Sequence, residues 1–334
     1  MKVQSRSRRA DTRAAGHFLI AGLLALGLVA SSPAAAQPYP TKQIKLIVPL
    51  TPGSPVDVLA RVTANHLGPR LGQTIVIENR PGAGSTLGTK VVASADPDGY
   101  TLLIAATSLV ISSVMYPNAG YDPIKSFAPV GMLARSPQTL VISPDVPAKT
   151  VQEFIAHAKA NPGKLNFGYG LGTLPHVLGE YFKVLTKTDI ASIPYKGGAN
   201  AITDMLGGRI QMNFGVPPTL LPLIQQGKIR ALAVTTDARY KDMPDVPTMK
   251  ESGLPDLSIS FTAGLLAPAG TPEPVLQKLN SAINETLKSP ELIAAMAKLG
   301  FEPEPWTTRQ YADYIADEVK RWPEILQVTG VKMQ

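Results

Sequence analysis

The sequence IKLIVPLTPGSPVDVLARVTANHLGPRL, at residues 44–71, predicts a β-strand followed directly by an α-helix. Residues 44–50 are mostly apolar and β-branched and end at Thr51-Pro52-Gly53, which is typical of a short buried strand and a turn. From residue 56 onward, apolar residues recur every three or four positions, which is the period of a helix with one buried face. The segment is therefore one strand–helix unit of an α/β protein.

The same alternation recurs along the chain. Strand patterns follow at 74–77, 101–106, around 141, 165–169, 190–195, 210–216, 229–235 and 258–266, with helices predicted at about 86–95, 151–160, 175–185, 199–206 and 220–226. Such alternation indicates mainly parallel sheets that are covered by helices on both faces. After residue 266, only helices are predicted, at 274–287, 291–299 and 309–327.

The change of pattern near the C-terminus suggests two lobes. If the helical tail returns to the first sheet, lobe one comprises residues 37–135 plus 258–334, and lobe two comprises residues 136–257. Chain crossings near 133–136 and 258–262 would then form a double-crossover hinge, with a cleft between the lobes. Periodicity alone leaves this topology open.

The first 36 residues have the organisation of a secretory signal. A basic segment at 6–13 precedes the apolar run FLIAGLLALGLV at 18–29, and Ala34-Ala35-Ala36 provides small residues at the cleavage position. The apolar run is shorter than the ~20 residues that a spanning helix needs. We expect cleavage after Ala36 and export of a soluble mature protein; a retained N-terminal anchor is the alternative.

Composition excludes several classes of protein. The chain has 334 residues, of which 44% are hydrophobic and 17% charged, as in ordinary globular proteins. It has no cysteine, which excludes disulfides, thiolate nucleophiles and cysteine-bound metals. The net charge is +7, of which five basic residues against one acidic residue in the first 36 contribute +4. The remaining +3 is too small to indicate a nucleic-acid partner.

The loops that follow the predicted strands are rich in Gly, Ser and Thr. They lie at 49–57, 81–86, 106–108, 168–173, 194–199 and 215–218. Open α/β sheets bind ligands at the carboxyl ends of their strands. Most of these loops also open a helix, whose first amides lack intrahelical partners and carry partial positive charge. Each loop alone reads as an ordinary turn, but together, facing one cleft, they would bind an anion.

Motifs of catalysis are absent from the sequence. The four His residues have no metal-ligand spacing such as HExxH, and there is no GxSxG nucleophile elbow. Gly82-Ala83-Gly84 lacks the third glycine of a dinucleotide fingerprint, and no Walker A sequence occurs. We therefore expect no enzyme activity, no cofactor and no metal.

Nine segments carry, through their order and spacing, a resemblance to a known family. They are IKLIVPLTPGSPVDVLAR (44–61), ENRPGAGSTLG (78–88), DPDGYTLL (96–103), YDPIKSFAPV (121–130), NPGKLNFGYG (161–170), IPYKGGANAITDMLGGRI (193–210), GKIRALAVTT (227–236), DVPTMKESGLP (245–255) and GLLAPAGTP (264–272). With them the mature chain resembles the Bug-type receptors, the substrate-binding components of tripartite tricarboxylate transporters (the TctC family). The resemblance implies a two-lobed periplasmic-binding-protein (Venus-flytrap) fold, a periplasmic location and no catalysis.

The resemblance also implies a ligand and the residues that hold it. The ligand would be a small organic carboxylate, held partly through bridging waters and delivered to an integral-membrane TctA/TctB-type permease. By position, the carboxylate end would touch Thr51, Gly53, Ser54, Ser85 and Thr86, while Thr107 and Ser108 line the wall and the closing end involves Gly170, Thr173, His176, Tyr195 and Gly198. Asp57 matches the family's acidic residue, and we assign it to holding the loop and first helix. We expect a monomer.

Departures from the family pattern bear on the ligand. Leu50 replaces an aromatic residue, and Ser54 adds a hydroxyl group. Gly215-Val216-Pro217-Pro218 lacks the polar or acidic residue that often follows this strand, which disfavours an amino-acid ligand and favours a plain or aromatic carboxylate. Two alternatives remain open at this point: a binding module that signals to a membrane sensor kinase, and an exported hydrolase on the same fold, for which no nucleophile–base pair is visible.

Overall fold

The computed structural model describes Met1 and residues 39–116, 118–170, 173–195 and 198–331. The predicted signal segment, apart from Met1, and its cleavage site lie outside the described residues. The chain divides into two units, Met1–Thr41 and Lys42–Gln334. Every described helix and strand belongs to the second unit.

The described part of the second unit contains eleven strands and ten α-helices. The strands are β1 (Ile44–Val48), β2 (Ile75–Asn79), β3 (Thr101–Ala106), β4 (Phe127–Ser136), β5 (Thr139–Ile142), β6 (Asn166–Gly170), β7 (Ala191–Tyr195), β8 (Met212–Gly215), β9 (Arg230–Val234), β10 (Phe261–Pro268) and β11 (Glu302–Pro303). The helices are α1 (Pro55–Leu71), α2 (Thr86–Ala93), α3 (Ser108–Met115), α4 (Val151–Ala160), α5 (Leu174–Thr186), α6 (Gly198–Leu206), α7 (Pro217–Gln225), α8 (Glu273–Thr286), α9 (Pro290–Lys298) and α10 (Thr308–Thr329). Each strand and helix predicted from the sequence is present, with ends that differ by a few residues.

Three elements were not predicted: β4, α3 and the two-residue β11. The sequence of β4 contains Pro129 and Gly131, which are rare inside strands. Gly131 is needed there because an added Cβ would lie 2.8 Å from the amide nitrogen of Asn280. Helix α3 has the sequence SLVISSVM, whose Ser and β-branched residues are weak helix formers.

The strands form two sheets. The first is six-stranded in the order β11-β4-β10-β3-β1-β2, and the second is five-stranded in the order β7-β6-β8-β5-β9. Strand β1 pairs in parallel with β2 and β3, while β10 runs antiparallel to both β3 and β4. In the second sheet, β6 pairs in parallel with β7 and β8, and β5 runs antiparallel to β8 and β9.

The α/β fold class is confirmed, but both sheets are mixed where the sequence predicted mainly parallel ones. The antiparallel pairs arise where the chain changes sheets. It leaves the first sheet along β4 and enters the second along β5, with Pro137-Gln138 between them, and it returns along β10. Outgoing β4 and returning β10 are neighbours, so they must run in opposite directions.

Helix α10 packs with residues of both sheets. It begins with a capping box at Thr307 and Gln310. Tyr311 and Ile315 in its first half belong to a core cluster with β1, β3 and β10, whereas Trp322 in its second half packs with Phe154 and Phe182 of the second sheet's helices. The assignment of all residues from 258 to 334 to lobe one therefore remains a prediction.

Candidate functional site

The loops at the carboxyl ends of the parallel strands enclose a cavity of about 760 Å³. Its walls come from the segments after β1, β3, β6, β7 and β8 and from the crossing between β4 and β5. The lining side chains are mostly apolar. The polar ones are Thr107, Ser108, Ser136, Gln138, Thr173, Asn213 and Thr219. None of the described lining residues is ionisable, so the cavity presents neutral donors and acceptors together with apolar surface.

Five of the predicted site residues line this cavity: Thr107, Ser108, Gly170, Thr173 and Gly198. Thr107 precedes α3, and its backbone N–H donates to the Thr262 carbonyl over 3.1 Å. Its hydroxyl in turn accepts from the Thr262 N–H at 3.0 Å. This exchange ties the start of α3 to β10 and sets Ser108 as the first helical residue at the cavity wall.

Ser85 does not line the cavity, but it is hydrogen-bonded to Ser108, which does. The Ser108 hydroxyl donates to Ser85 Oγ over 3.2 Å, and Ser85 itself is buried, with φ at +80°. Two hydroxyls carry two protons, and their mutual bond uses one. With Ser108 as the donor, the unused proton is that of buried Ser85; when the two hydroxyls rotate so that Ser85 donates to Ser108, the Ser108 hydroxyl can donate to an acceptor in the cavity. Thr86, the other predicted residue of this loop, is buried and donates to the Ala83 carbonyl at 2.8 Å.

Asp57 stabilises the loop after β1 through hydrogen bonds, which is the role assigned to it from the sequence. Asp57 accepts from the Gly53 N–H at 2.8 Å, from the Asn79 amide at 2.8 Å and from Arg61 Nε at 3.1 Å. Burial pulls the pKa of Asp57 upward, but these hydrogen bonds outweigh it and leave the pKa below its usual value. Asp57 is thus an anion that is already paired with Arg61 of α1, at 3.0 Å.

The predicted residues Thr51, Gly53 and Ser54 lie on this loop but not on the cavity surface. Thr51 and Gly53 are exposed, and the Ser54 side chain caps α1 by accepting from the Asp57 N–H at 3.3 Å. The loop reaches the cavity through Leu50, and through Pro55 and Val56 at the start of α1. The apolar end of this loop, and not its hydroxyls, therefore forms this part of the wall.

His176 and Tyr195 also lie away from the lining, each for an identifiable reason. The His176 ring is buried and stacks on Tyr169, with centroids 4.0 Å apart and planes within 5°. The Tyr195 hydroxyl donates to Asp204 Oδ2 at 2.7 Å. A role for either residue in ligand contact stays a prediction.

Proline reduces the number of backbone N–H groups that a helix N-terminus can donate to an anion. Five helices begin at the cavity, α1, α3, α5, α6 and α7. Proline occupies the first turn of α1, α5 and α7, at Pro55, Pro175 and Pro217-Pro218, and it has no N–H to donate. Helices α3 and α6 begin without proline, at Ser108 and Gly198. The backbone N–H donors expected for an anion are thus concentrated at the starts of α3 and α6. The prolines that limit the other three helix starts can be identified in the sequence.

Four polar lining residues were not predicted from the sequence: Ser136, Gln138, Asn213 and Thr219. Asn213 donates its side-chain amide to the Gly168 carbonyl at 2.6 Å. Ser136 is 2% exposed, and its hydroxyl has no hydrogen-bond partner among the described residues. The signal in the sequence was the predicted crossing at 133–136. A chain segment that passes from one lobe to the other lies at the base of the cleft between them.

The buried His176 leads to a prediction about pH. Burial lowers the pKa of His176, against the opposing pull of Glu180. The unfolded chain, with a His pKa of about 6.5, therefore takes up a proton that the folded protein resists. We expect the free energy of unfolding to fall as the pH drops from 7 to 5, and to fall less steeply in His176→Phe. Urea unfolding of both proteins from pH 5 to 8 measures this, and equal slopes would contradict it.

Metal and membrane features are absent from the described residues. They contain no group of three or more His, Cys, Asp or Glu side chains placed to hold a metal ion. In the same part of the chain, no helix is both long and apolar enough to cross a membrane.

Comparison with known proteins gives consistent matches over most of the chain. The family model described as the tripartite tricarboxylate transporter family receptor matches residues 59–331. Protein BugT of Bordetella pertussis is 38% identical over 307 residues, which cover 91% of this chain and 94% of BugT. Two solved structures align over their full length: R. palustris Rpa4515 with adipate (32% identity, TM-score 0.72, 89% of this chain) and MatC from Rhodopseudomonas palustris with bound malate (30% identity, TM-score 0.69, 86% of this chain).

Proposed function

Because this chain belongs to the receptor family of tripartite tricarboxylate transporters, we propose that it captures a small organic carboxylate in its cleft and delivers it to a membrane permease. Its general role is that of a solute-binding protein rather than an enzyme. The observation that carries the carboxylate proposal is the start of α3, where Thr107 and Ser108 meet a cavity whose described lining has no acidic side chain. Adipate and malate, which occupy two of the related structures, are both carboxylates.

Electrostatics at the helix starts supports an anion but does not suffice alone. One helix N-terminus stabilises a nearby anion by roughly 0.3–1 kcal/mol, and by up to ~2 kcal/mol where it is partly buried. Micromolar affinity needs about 8 kcal/mol. The proline-free starts of α3 and α6 therefore have to be supplemented by hydroxyl donors such as the Ser85–Ser108 pair and by apolar contact.

We propose that the two sheets, as lobes one and two, close on the ligand about the crossings. The segment after α9 already touches the start of α7. A Cβ on Gly300 would lie 3.1 Å from Pro218 Cδ and 3.6 Å from Val216 Cβ. Closure about this contact would bring Gly170, Thr173 and Gly198 towards Ser108. Tyr195 and His176 would then stabilise the part of lobe two that closes over the ligand.

The family implies a periplasmic location. Cleavage after Ala36 is our proposal for the exported form, and the intact mass of the exported protein tests it. Delivery to a permease is tested separately, by comparing uptake of the bound solute in cells with and without the receptor.

Calorimetry on purified protein, stripped of bound solute by unfolding and refolding, tests carboxylate capture. The panel comprises dicarboxylates, tricarboxylates, aliphatic monocarboxylates, aromatic acids and nicotinate-like acids, with the corresponding amides as uncharged controls. We expect at least one acid to bind with a micromolar or lower Kd and its amide to bind much more weakly. Silence across the whole panel would contradict the proposal.

A further inference from the structure

One wall of the cavity, which begins next to the α3 start, is apolar, and it narrows the class of ligand that the cavity can hold. We propose that the preferred ligand is a monocarboxylate with an apolar body, whose carboxylate lies at the start of α3 and whose body packs on this wall. We define the apolar wall as Phe214, Val216, Phe261, Leu299 and Phe301. The inference rests on the proposed function, since it assumes that a carboxylate enters this cavity.

The apolar wall is continuous and draws on elements around both sheets. The rings of Phe261 and Phe301 lie 6.0 Å apart between centroids. Gly300, between Leu299 and Phe301, borders Val216 of the loop after β8. Phe214 precedes that loop at the end of β8 and is 2% exposed. An apolar ligand body would therefore be enclosed from two sides.

The wall lies at the right place to receive the body of a ligand that is anchored at α3. Thr107 is hydrogen-bonded to Thr262, the residue that follows Phe261 on β10. Phe261 in turn pairs with Ser136 on β4. The cavity floor thus runs from Thr107 across Phe261 to Ser136, in steps of about one strand spacing, ~4.8 Å each.

The residues of the apolar wall cannot form an ion pair with a second charged group on the ligand. None of the described residues that line the cavity has an ionisable side chain. A carboxylate that loses its water against aromatic rings, without an ion-pair partner, binds poorly. The ligand's distal end should therefore carry no second carboxylate.

The starts of α5 and α7 do little to replace the missing counter-charge, and the proline-free start of α6 is not part of the apolar wall. In α7, Pro217 and Pro218 have no N–H, and the Thr219 N–H donates to the Val216 carbonyl at 3.2 Å. In α5, Pro175 has no N–H, and the His176 N–H donates to the Thr173 carbonyl at 3.1 Å. The α7 start thus offers an anion no N–H from its first three residues, and the α5 start offers at most that of Leu174.

Ser136 offers one neutral polar contact beside the wall. Its hydroxyl is buried, has no hydrogen-bond partner among the described residues and belongs to a residue that lines the cavity. A buried hydroxyl group without a partner is costly, and a ligand atom can satisfy it. A single carbonyl or hydroxyl on the ligand body would fit there, whereas a charged group would remain unneutralised.

Hexanoate and adipate form a matched pair that tests the inference, since they differ in the second carboxylate. We expect calorimetry to give hexanoate and 3-phenylpropanoate a Kd roughly a hundredfold lower than that of adipate. A ratio of hexanoate to adipate affinity below tenfold would overturn the inference and leave carboxylate capture standing. Absence of binding by every acid, here and in the wider panel, would instead overturn the proposed function, and the inference with it.

A variant pair locates the effect at the wall. Val216 is half-buried and precedes α7, so a longer side chain can be accommodated there. We expect Val216→Lys to shift the affinity ratio at least tenfold towards adipate, because its ammonium group can pair with the second carboxylate. Val216→Met, similar in length but neutral, should keep the wild-type ratio. An unchanged ratio in a folded Val216→Lys protein, checked by its melting temperature, would show that the distal end of the ligand lies elsewhere.

Discussion

Replacing Ser108 with Asp is expected to weaken carboxylate binding by about a thousandfold while the protein stays folded. Two unit charges 4 Å apart repel by ~4 kcal/mol at an effective dielectric constant of 20, and each 1.4 kcal/mol is a factor of ten in Kd. Ser108 is the first residue of α3, is only partly buried and lines the cavity. An acidic residue is favourable in the first turn of a helix, so the melting temperature should hold or rise slightly.

The matched control is Ser108→Asn, which has nearly the same shape and no charge. We expect it to lose only the hydroxyl contact, about fivefold in Kd, which corresponds to the ~1 kcal/mol of a typical hydrogen bond. Calorimetry with any acid that the wild-type protein binds measures both variants. If the Asp variant binds as tightly as the Asn variant, the carboxylate does not lie at the start of α3.

Ser85 is a poorer place for the same test. It is 4% exposed, and its backbone is left-handed, with φ at +80°. A bulky acid there would have to be buried beside Thr86 and Thr89, so a loss of binding could not be separated from a loss of folding. The decisive substitution therefore belongs at Ser108, the hydrogen-bond partner of Ser85 on α3, and not in the loop after β2.

The largest effect on stability is expected for Gly179→Ala. Gly179 lies inside α5, and a Cβ at this position would overlap the ring of Phe167, which is fully buried on β6. Phe167 cannot yield easily, because it stacks on Tyr169, which stacks on His176. Overpacking of a core costs about 3 kcal/mol at the upper end of its usual range. Alanine recovers ~1 kcal/mol of helix propensity, so we expect a net loss of about 2 kcal/mol.

Gly207→Ala is the matched control for this prediction. An added Cβ there meets the nearest atoms at 3.6 and 3.7 Å, which is ordinary contact. We expect a change within about 0.5 kcal/mol in the control. Urea unfolding measures both, and Phe167→Leu in the Gly179→Ala background should restore part of the lost stability if the overlap is the cause. Equal stabilities of the two alanine variants would refute the overlap.

The alternation of strands and helices was predictable from the sequence because it depends on local periodicity. The apolar runs at 44–48 and 101–106 are mostly buried, as their patterns indicate, whereas β2 at the edge of the first sheet is only half-buried. The exceptions have local causes: Pro129 and Gly131 obscure β4, and the Ser and β-branched residues of α3 do not favour a helix. The strand-end loops around Thr107, Gly170 and Gly198 border one cavity in the structure, and their contact with a ligand stays a prediction.

Side-chain direction at the site was not predictable in the same way. Tyr195 and His176 follow strands that end at the cavity, yet one is bonded to Asp204 and the other is stacked on Tyr169. Ser136 and Phe261 carry no motif, and they line the cavity because the outgoing and returning strands happen to be paired. A sequence motif indicates which loop lies at the end of a strand. The packing of the surrounding residues decides which of its side chains faces the cavity.

The sequence by itself determined the α/β class, the family and the richness of the strand-end loops in Gly, Ser and Thr, since these depend on residue type and spacing along the chain. Tertiary structure decided that the sheets are mixed, that α10 packs against both, and that an apolar wall lines the cavity next to Thr107. The physical reason is that strand adjacency and burial are set by contacts between residues far apart in sequence. Phe261 and Ser136 are one such pair, and local periodicity contains no information about it.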